Sequence, residues 1–371
     1  MGCILCRQNR VLSDFVKENF EDIEYPIYMN LELTAKCNLN CVHCYAKGGR
    51  SHKDFSFDEF KALFDVLVDR GLMETSLTGG EIFLRPDFKD IYLYAKAKGV
   101  LVALLSNITL LSQSHIDMFK EYPVEIISTT IYGCTEETYE RVTQVKGSYK
   151  TFMNGLELLS KNNIRFELKF VALQQNIEDV YKVNELGKAL KAETVVIAFG
   201  VGPMNDGSLE PLDYRVPPEK AFEFDIQDED RRMFWQGVAK QIASGEIGLR
   251  PIRAQQKFQR GLLYPCAIAH QSAFITSDLK LQGCVKASYR QFDLRLGTFD
   301  EGWAYIRREL AHKKSSPTFK CAKCEKIRFC EQCTANFAQR YGDEERIDSF
   351  YCEIGDLRKK FVDDEVKKLL V

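Results

Sequence analysis

The chain has no long apolar run. Its longest obvious one, Val100 to Leu105, is strand-sized, far short of a membrane span. Its first ten residues, MGCILCRQNR, carry charge and cysteine but no sustained apolar stretch, which excludes a secretory signal peptide. Gly2 lacks the usual Ser or Thr four residues on; Cys6 stands there, which argues against lipidation. An excess of either charge is also missing. Lys and Arg number 51 against 53 Asp and Glu, a formal net charge of -2. That argues against a standing attraction to nucleic acid or to an anionic membrane. Cysteine, by contrast, is abundant, with 13 in 371 residues. Secreted disulfide scaffolds are far shorter than this. The reading is a cytoplasmic chain with most of its cysteines on metal. A hydrophobic share of 45% is enough for a full core, and the length suits two or three domains.

Three of the cysteines stand in the run LELTAKCNLNCVHCYA, as Cys37-x3-Cys41-x2-Cys44 followed by Tyr45. Three thiolates in eight residues can hold three irons of a [4Fe–4S] cluster, which normally takes four. The fourth iron is then left for another ligand, and a vacancy on a redox-active metal is a place for chemistry. A zinc knuckle completed by His43 is the competing reading. It is awkward, because His43 is adjacent to Cys44 and zinc wants four ligands at tetrahedral spacing.

A second array fills the last third: Cys266-x17-Cys284, then Cys321-x2-Cys324-x5-Cys330-x2-Cys333-x18-Cys352. Seven cysteines in 87 residues, with two C-x2-C pairs, is a strong metal signal. A zinc ribbon built from the two pairs is the bland alternative, although five residues between pairs is a tight gap for it. Cys3 and Cys6 form a further C-x2-C near the start and read as free thiols on an arm.

Between these arrays, strand-like and helix-like segments alternate. Strands are expected at Ile27–Leu33, Glu74–Leu77, Val100–Leu105, Val124–Ile131, Arg165–Leu173 and Thr194–Phe199. Helices are expected at Phe57–Arg70, Asp87–Lys98, Ser112–Lys120, Glu136–Val142, Tyr149–Asn162 and Ile177–Leu190. Six such units predict an α/β fold, a partial (β/α)6 TIM barrel, with its chemistry at the C-terminal strand ends. Residues 203–235 are rich in turn formers without clear periodicity, and EFDIQDEDRR reads as a solvated charged face. A helix near Met233–Ile242 is expected to lead onward. The expected divisions are an N-terminal arm (1–26), the barrel (27–202), a bridging segment (203–262) and a small cysteine-rich domain with a β-hairpin (263–371).

The C-x3-C-x2-C-aromatic motif, with Thr78-Gly79-Gly80-Glu81 downstream, resembles the radical S-adenosylmethionine (SAM) enzymes. In that family the open iron chelates SAM, an electron from the cluster cleaves the sulfonium, and a 5′-deoxyadenosyl radical removes a hydrogen atom from substrate. The resemblance implies SAM contacts at Tyr45, Gly79, Gly80, Glu81, Ser106, Asn107 and Thr130. An arginine that many relatives carry for the SAM carboxylate aligns with Thr143; Arg141 is nearby, and the role is assigned to neither.

The later array resembles the SPASM domain, an auxiliary iron–sulfur extension of this family. The run SDLKLQGC followed by LRLGTF matches its strand–turn–strand. Carried over, Cys321, Cys324, Cys330 and Cys352 would hold one auxiliary cluster, and Cys266, Cys284 and Cys333 the other. That makes three iron–sulfur clusters in all, read as [4Fe–4S]. The chain departs from the pattern in three ways. Two residues rather than three separate Cys330 from Cys333, Leu279 replaces a hairpin glycine, and seven cysteines serve eight ligand positions. His270, an open iron or a spare cysteine would complete the set.

Within the family, TIYGCTEETYERVTQVKGSYKTFMNGLELL most resembles enzymes that modify ribosomally made precursor peptides. The implied partners are a precursor peptide and an external electron donor of flavodoxin or ferredoxin type; only 26 residues precede the first strand, so leader recognition is expected from a separate leader-recognition protein or from the enzyme's own surface. Tetrapyrrole or other small-molecule chemistry and sulfatase-type protein maturation are the alternatives. A non-catalytic iron–sulfur or zinc protein is the reading from another class. No general base is identified; Asp278, Tyr132 and Tyr45 are the candidates near the site.

Overall fold

The computed structural model describes residues 25–47, 53–245, 261–266 and 268–370. Cys3, Cys6 and part of the expected bridging segment lie outside these residues. No helix among the described residues is long and apolar enough to cross a membrane.

The six expected strands form: β1 (Tyr28–Thr34), β2 (Glu74–Gly79), β3 (Leu101–Leu105), β4 (Ile127–Ile131), β5 (Phe166–Val171) and β6 (Thr194–Ala198). They lie in chain order in one sheet, each parallel to its neighbour. The helices between them are α1 (Phe57–Asp69), α2 (Phe88–Ala97), α3 (Gln113–Glu121), α4 (Glu136–Thr143), α5 (Ser148–Lys161) and α6 (Val180–Ala189). Helix α1 shows why the pattern was readable. Ser56 and Glu59 form a capping box at its start, and Phe60, Phe64 and Leu67 recur on one buried stripe.

Strand β1 sets the inside and outside of the barrel. Met29, Leu31 and Leu33 are buried in the main apolar core. The alternate residues Tyr28, Asn30, Glu32 and Thr34 share the opposite face. There the Tyr28 hydroxyl meets Ser76 Oγ at 2.7 Å and donates to Asn30 Oδ1 at 2.9 Å. On the corresponding face of β5, Glu167 pairs with Lys169 at 3.1 Å. The inner face is thus polar and internally bonded.

The sheet does not close. Strand β7 (Ser272–Ile275) pairs in parallel with the free edge of β1, and the antiparallel β8 (Lys280–Gln282) and β9 (Gln291–Asp293) extend the sheet to nine strands. The cysteine-rich hairpin therefore continues the barrel sheet. LRLGTF is not its third strand; that strand is Gln291–Asp293, and LRLGTF turns into α9 (Phe299–Ile306). Leu279 takes φ +63° in the hairpin turn, the conformation a glycine would supply, and its side chain stays buried in the core.

One expectation fails at a single charged residue. EFDIQDEDRR, read as a solvated face, spans the end of α7 (Pro218–Gln227) and the start of α8 (Glu229–Ala243), and α8 contains the helix expected near Met233–Ile242. Asp225, inside EFDIQDEDRR, is fully buried. It accepts from Arg358 Nε at 2.6 Å and from Arg231 Nε at 2.8 Å. Arg358 lies on α11 (Ser349–Leu370), 133 residues away, and also donates to the Phe329 carbonyl at 3.2 Å. A charge run read locally looks exposed; here a distant guanidinium neutralises it on packing.

Removing Arg358 leaves the buried Asp225 with only the part-exposed Arg231 to offset its charge, and the Phe329 carbonyl without this donor. Arg358→Met should cost about 3–5 kcal/mol, seen as a lower denaturant midpoint. A midpoint equal to wild type would show that the pair does not hold α7 to α11.

Candidate active site

The residues after β1 are held by backbone contacts on two sides. Gly80 N–H donates to the Thr34 carbonyl at 2.8 Å and Glu81 N–H to the Lys36 carbonyl at 2.8 Å. On the other side, Asn40 N–H donates to Thr143 O at 2.9 Å and Val42 N–H to Val142 O at 3.0 Å, at the end of α4. The glycines are required by the first contact. A Cβ on Gly79 would lie 2.5 Å from Thr34 O, and one on Gly80 would lie 2.1 Å from Lys36 O. Their described use is to let the cysteine loop lie directly on the β2 turn.

This docking places Cys44 near both Cys37 and Cys41, although among the described residues no three Cys, His, Asp or Glu stand close enough to hold a metal ion as they are. Burial pushes the Cys41 thiol up to about 12, and the neighbouring Cys44 and Cys37 push it further the same way. Burial likewise raises Cys37, with Glu81 and Cys44 adding to the rise. A cation that ligated all three as thiolates would relieve the rise at Cys37 and Cys41. Donors already face the sulfurs: Leu39 N–H reaches Cys37 Sγ at 3.4 Å, Asn107 Nδ2 reaches it at 3.8 Å, and the buried Tyr132 phenol bonds to Cys41. His43 packs edge-on against the Tyr132 ring, with centroids 5.1 Å apart, and burial lowers its imidazole to about 4.

Glu81 is fully buried. Its carboxylate accepts from Phe83 N–H at 3.1 Å, the Ser106 hydroxyl at 2.8 Å and Asn107 N–H at 2.7 Å. Burial nevertheless pushes it up to about 7. Asn107 in turn donates to Asn38 Oδ1 at 3.0 Å, so the end of β3 is tied to the cysteine loop through Glu81. Thr130 lies half-buried near the end of β4. Thr143 is buried and bonded to Ser148 Oγ at 2.8 Å, whereas Arg141 pairs with Glu137 on the outside of α4.

Tyr45 faces the C-terminal part of the chain. Its carbonyl accepts from Asn205 N–H at 2.8 Å. Its ring lies 4.4 Å beneath the Lys286 ammonium, which also donates to Pro203 O at 2.9 Å. Burial lowers Lys286 to about 8, while Cys333, Cys284 and Cys44 hold it up. Lys286 thus stands among cysteines of both arrays; its place two residues after Cys284 gave no sign of this.

Of the later cysteines, Cys321, Cys324, Cys330 and Cys352 form one group. Burial pushes Cys321 up to about 12, and Cys330, Cys352 and Cys324 each raise it further. Cys330 is pushed up to about 11 by burial, with Cys324 and Cys352 adding to it. Cys284 and Cys333 both act on Lys286 and on Tyr289. Cys266 is exposed, and His270 is buried, edge-on to His312 with centroids 5.8 Å apart. Asp278 accepts from the Thr276 hydroxyl at 2.6 Å within the hairpin turn.

A cavity of about 430 Å³ opens between the hairpin and the loop after β6. Glu32 and Thr276 lie on its β1–β7 side, Gln282 and Gln291 on the hairpin, and Asn205 and Gln339 opposite. None of these amide residues was picked out from sequence, where isolated Asn and Gln carry no pattern.

The Radical SAM superfamily model matches residues 31–187. The AdoMet-dependent heme synthase of Methanosarcina barkeri is 27% identical over 329 residues, 84% of this chain and 92% of that protein. The antilisterial bacteriocin subtilosin biosynthesis protein AlbA of Bacillus subtilis is 30% identical over 183 residues, 48% of this chain and 41% of that protein. Among solved structures, Streptococcus suis SuiB bound to precursor peptide SuiA shares the fold with a TM-score of 0.66, at 12% identity, covering 91% of this chain and 78% of that one.

The docked glycine makes a specific demand. Gly80→Ala should cost about 1–3 kcal/mol by forcing backbone apart, and should lower iron incorporation severalfold. Gly237→Ala is the control, since a Cβ there meets nothing within 4 Å. Equal iron loading of the two variants would show that the close approach does not hold the cysteine loop.

Proposed function

We propose that this chain, a radical SAM enzyme whose signature domain spans residues 31–187, acts on a peptide substrate, as a maturase of a ribosomally made precursor. The observation that carries this reading is the cavity beside Tyr45 and the hairpin. Its walls combine the amides of Asn205, Gln282, Gln291 and Gln339 and several hydroxyls with the charged Glu32, Asp206, Asp278 and Lys280, and include the Phe274 and Tyr289 rings. A peptide segment satisfies such walls, whereas a flat tetrapyrrole buries a large apolar face. The similar fold of SuiB bound to precursor peptide SuiA supports the same reading.

The family uses SAM and [4Fe–4S] clusters, and the donor set fits them. Cys37, Cys41 and Cys44 would hold three irons of the catalytic cluster, leaving one iron for SAM. When bound, this pair supplies one-electron cleavage of the sulfonium and hydrogen-atom abstraction. The chain's own residues supply position. Gly79 and Gly80 admit the cysteine loop to the β2 turn. Glu81 supports Ser106 and Asn107 from behind, its oxygens already committed, so in this reading it shapes the SAM site rather than touching SAM. In this reading Tyr45, Gly79, Gly80, Ser106, Asn107 and Thr130 would contact SAM. The Cys321, Cys324, Cys330, Cys352 group and the Cys266, Cys284, Cys333 set would hold two auxiliary clusters, the second with His270 or an open position. An external flavodoxin- or ferredoxin-type donor would supply the electron, and a separate protein would present the leader.

A second reading is favoured by one comparison: the heme synthase relative spans 84% of this chain, against 48% for AlbA. Tetrapyrrole chemistry is therefore the rival.

Reconstituted protein should hold about twelve irons if all three clusters are [4Fe–4S], with negligible zinc. It should cleave SAM to 5′-deoxyadenosine, and Cys41→Ala should not. Peptides from short reading frames beside the gene should raise cleavage and emerge lighter by two hydrogens. Stimulation by Fe-coproporphyrin III in their place would transfer the assignment to the rival.

A further inference from the structure

We propose that the cavity between the hairpin and the loop after β6 is a main-chain clamp: its two amide pairs grip peptide groups of an extended substrate segment, whatever the side chains. The inference rests on the peptide reading above and adds how the segment is held.

On the hairpin wall, Gln282 Nε2 donates to Gln291 Oε1 at 3.1 Å. On the opposite wall, Gln339 Nε2 donates to Asn205 Oδ1 at 3.1 Å. Each primary amide has two N–H donors and a carbonyl acceptor. Each pair spends one donor and one acceptor on itself. What remains toward a ligand on either wall is an amide oxygen from one residue and an NH2 from the other. Turning both amides of a pair round leaves the same complement. A peptide group carries one N–H and one C=O, so each wall presents its counterpart. The Gln339 oxygen is buried and has no donor among the described residues, which is the need a ligand N–H would meet.

The walls are fixed before any ligand arrives. Gln282 and Gln291 are directly opposed in the β8–β9 ladder. Asn205 is tied to the cysteine loop through Tyr45 O, and its own carbonyl accepts from Ser288 Oγ on the hairpin side at 2.9 Å. Ser288 and Asn205 thus set the separation of the two walls. Lys280, the cation lining this cavity, is bonded to Asp293. Glu32, Asp206 and Asp278 line it as well, so a ligand defined by carboxylates is disfavoured here, while peptide groups can meet the amides. Gripping main chain also suits an enzyme that draws different positions of one substrate past a single reacting centre.

The test uses the reconstituted full chain and saturation-transfer NMR. The probes are acetyl-Gly-Ala-Gly-Ala-amide, its serine counterpart, the first peptide N-methylated at one alanine, and coproporphyrin III. The two plain peptides should bind alike. N-methylation should weaken binding about tenfold, and Gln291→Leu and Gln339→Leu should each weaken the first peptide by roughly fivefold or more. Gln291 is exposed, so its variant is the one least able to disturb folding; thermal melts of both check this. Peptides that bind regardless of N-methylation, or as well to either variant as to wild type, overturn the clamp and leave the peptide reading standing. Coproporphyrin binding without peptide binding overturns both, and absence of any peptide binding overturns the clamp.

Discussion

The site depends on one backbone contact that a side chain would forbid. The Lys36 carbonyl lies 2.1 Å from where a Cβ of Gly80 would be. With glycine there, the loop carrying Cys37, Cys41 and Cys44 rests on the end of β2, and α4 meets it from the other side. Cys44 is placed near both Cys37 and Cys41, where burial already disfavours thiolate charge on those two. A metal cluster ligating all three would relieve it. Glu81 extends the same arrangement to β3, so three consecutive strand ends are locked to one loop.

A second consequence follows from β7 pairing with β1. The hairpin that precedes the last cysteine groups is an extension of the barrel sheet. Asn205 on the Tyr45 carbonyl and Lys286 over the Tyr45 ring then join the cysteine loop to the later array. The cysteine loop, the cavity and the later cysteines share one frame, which in the proposed reading would hold a substrate against both cysteine groups. The buried Arg358–Asp225 pair ties the final helix to the same body.

The barrel was legible because its signals are local. Periodicity of two in β1 and of 3.6 in α1, with a capping box, marks elements without reference to anything distant. The three-cysteine motif was legible for the same reason: its ligands lie within eight residues. The failures have a physical cause in common. EFDIQDEDRR reads as solvated because its neutralising Arg358 is 133 residues away. Lys286, Gln282, Gln291, Asn205 and Gln339 acquire a role only when hairpin, loop and helix converge. Gly79 and Gly80 were expected as SAM contacts, and the backbone approach they also allow could not be seen without the loop docked on them. Leu279 departs from the glycine pattern yet keeps the left-handed turn, its side chain remaining in the core.

The central claim is that the docked thiols present an iron with a vacancy for SAM. Electron–nuclear double resonance on the reduced protein tests it most directly, with SAM carrying ¹⁵N and ¹³C in its amino-acid portion. The account predicts hyperfine coupling from the amino nitrogen and the carboxylate carbon to the cluster, lost in Cys41→Ala while the auxiliary signals persist. A reduced cluster whose spectrum shows no coupling to bound SAM would contradict it.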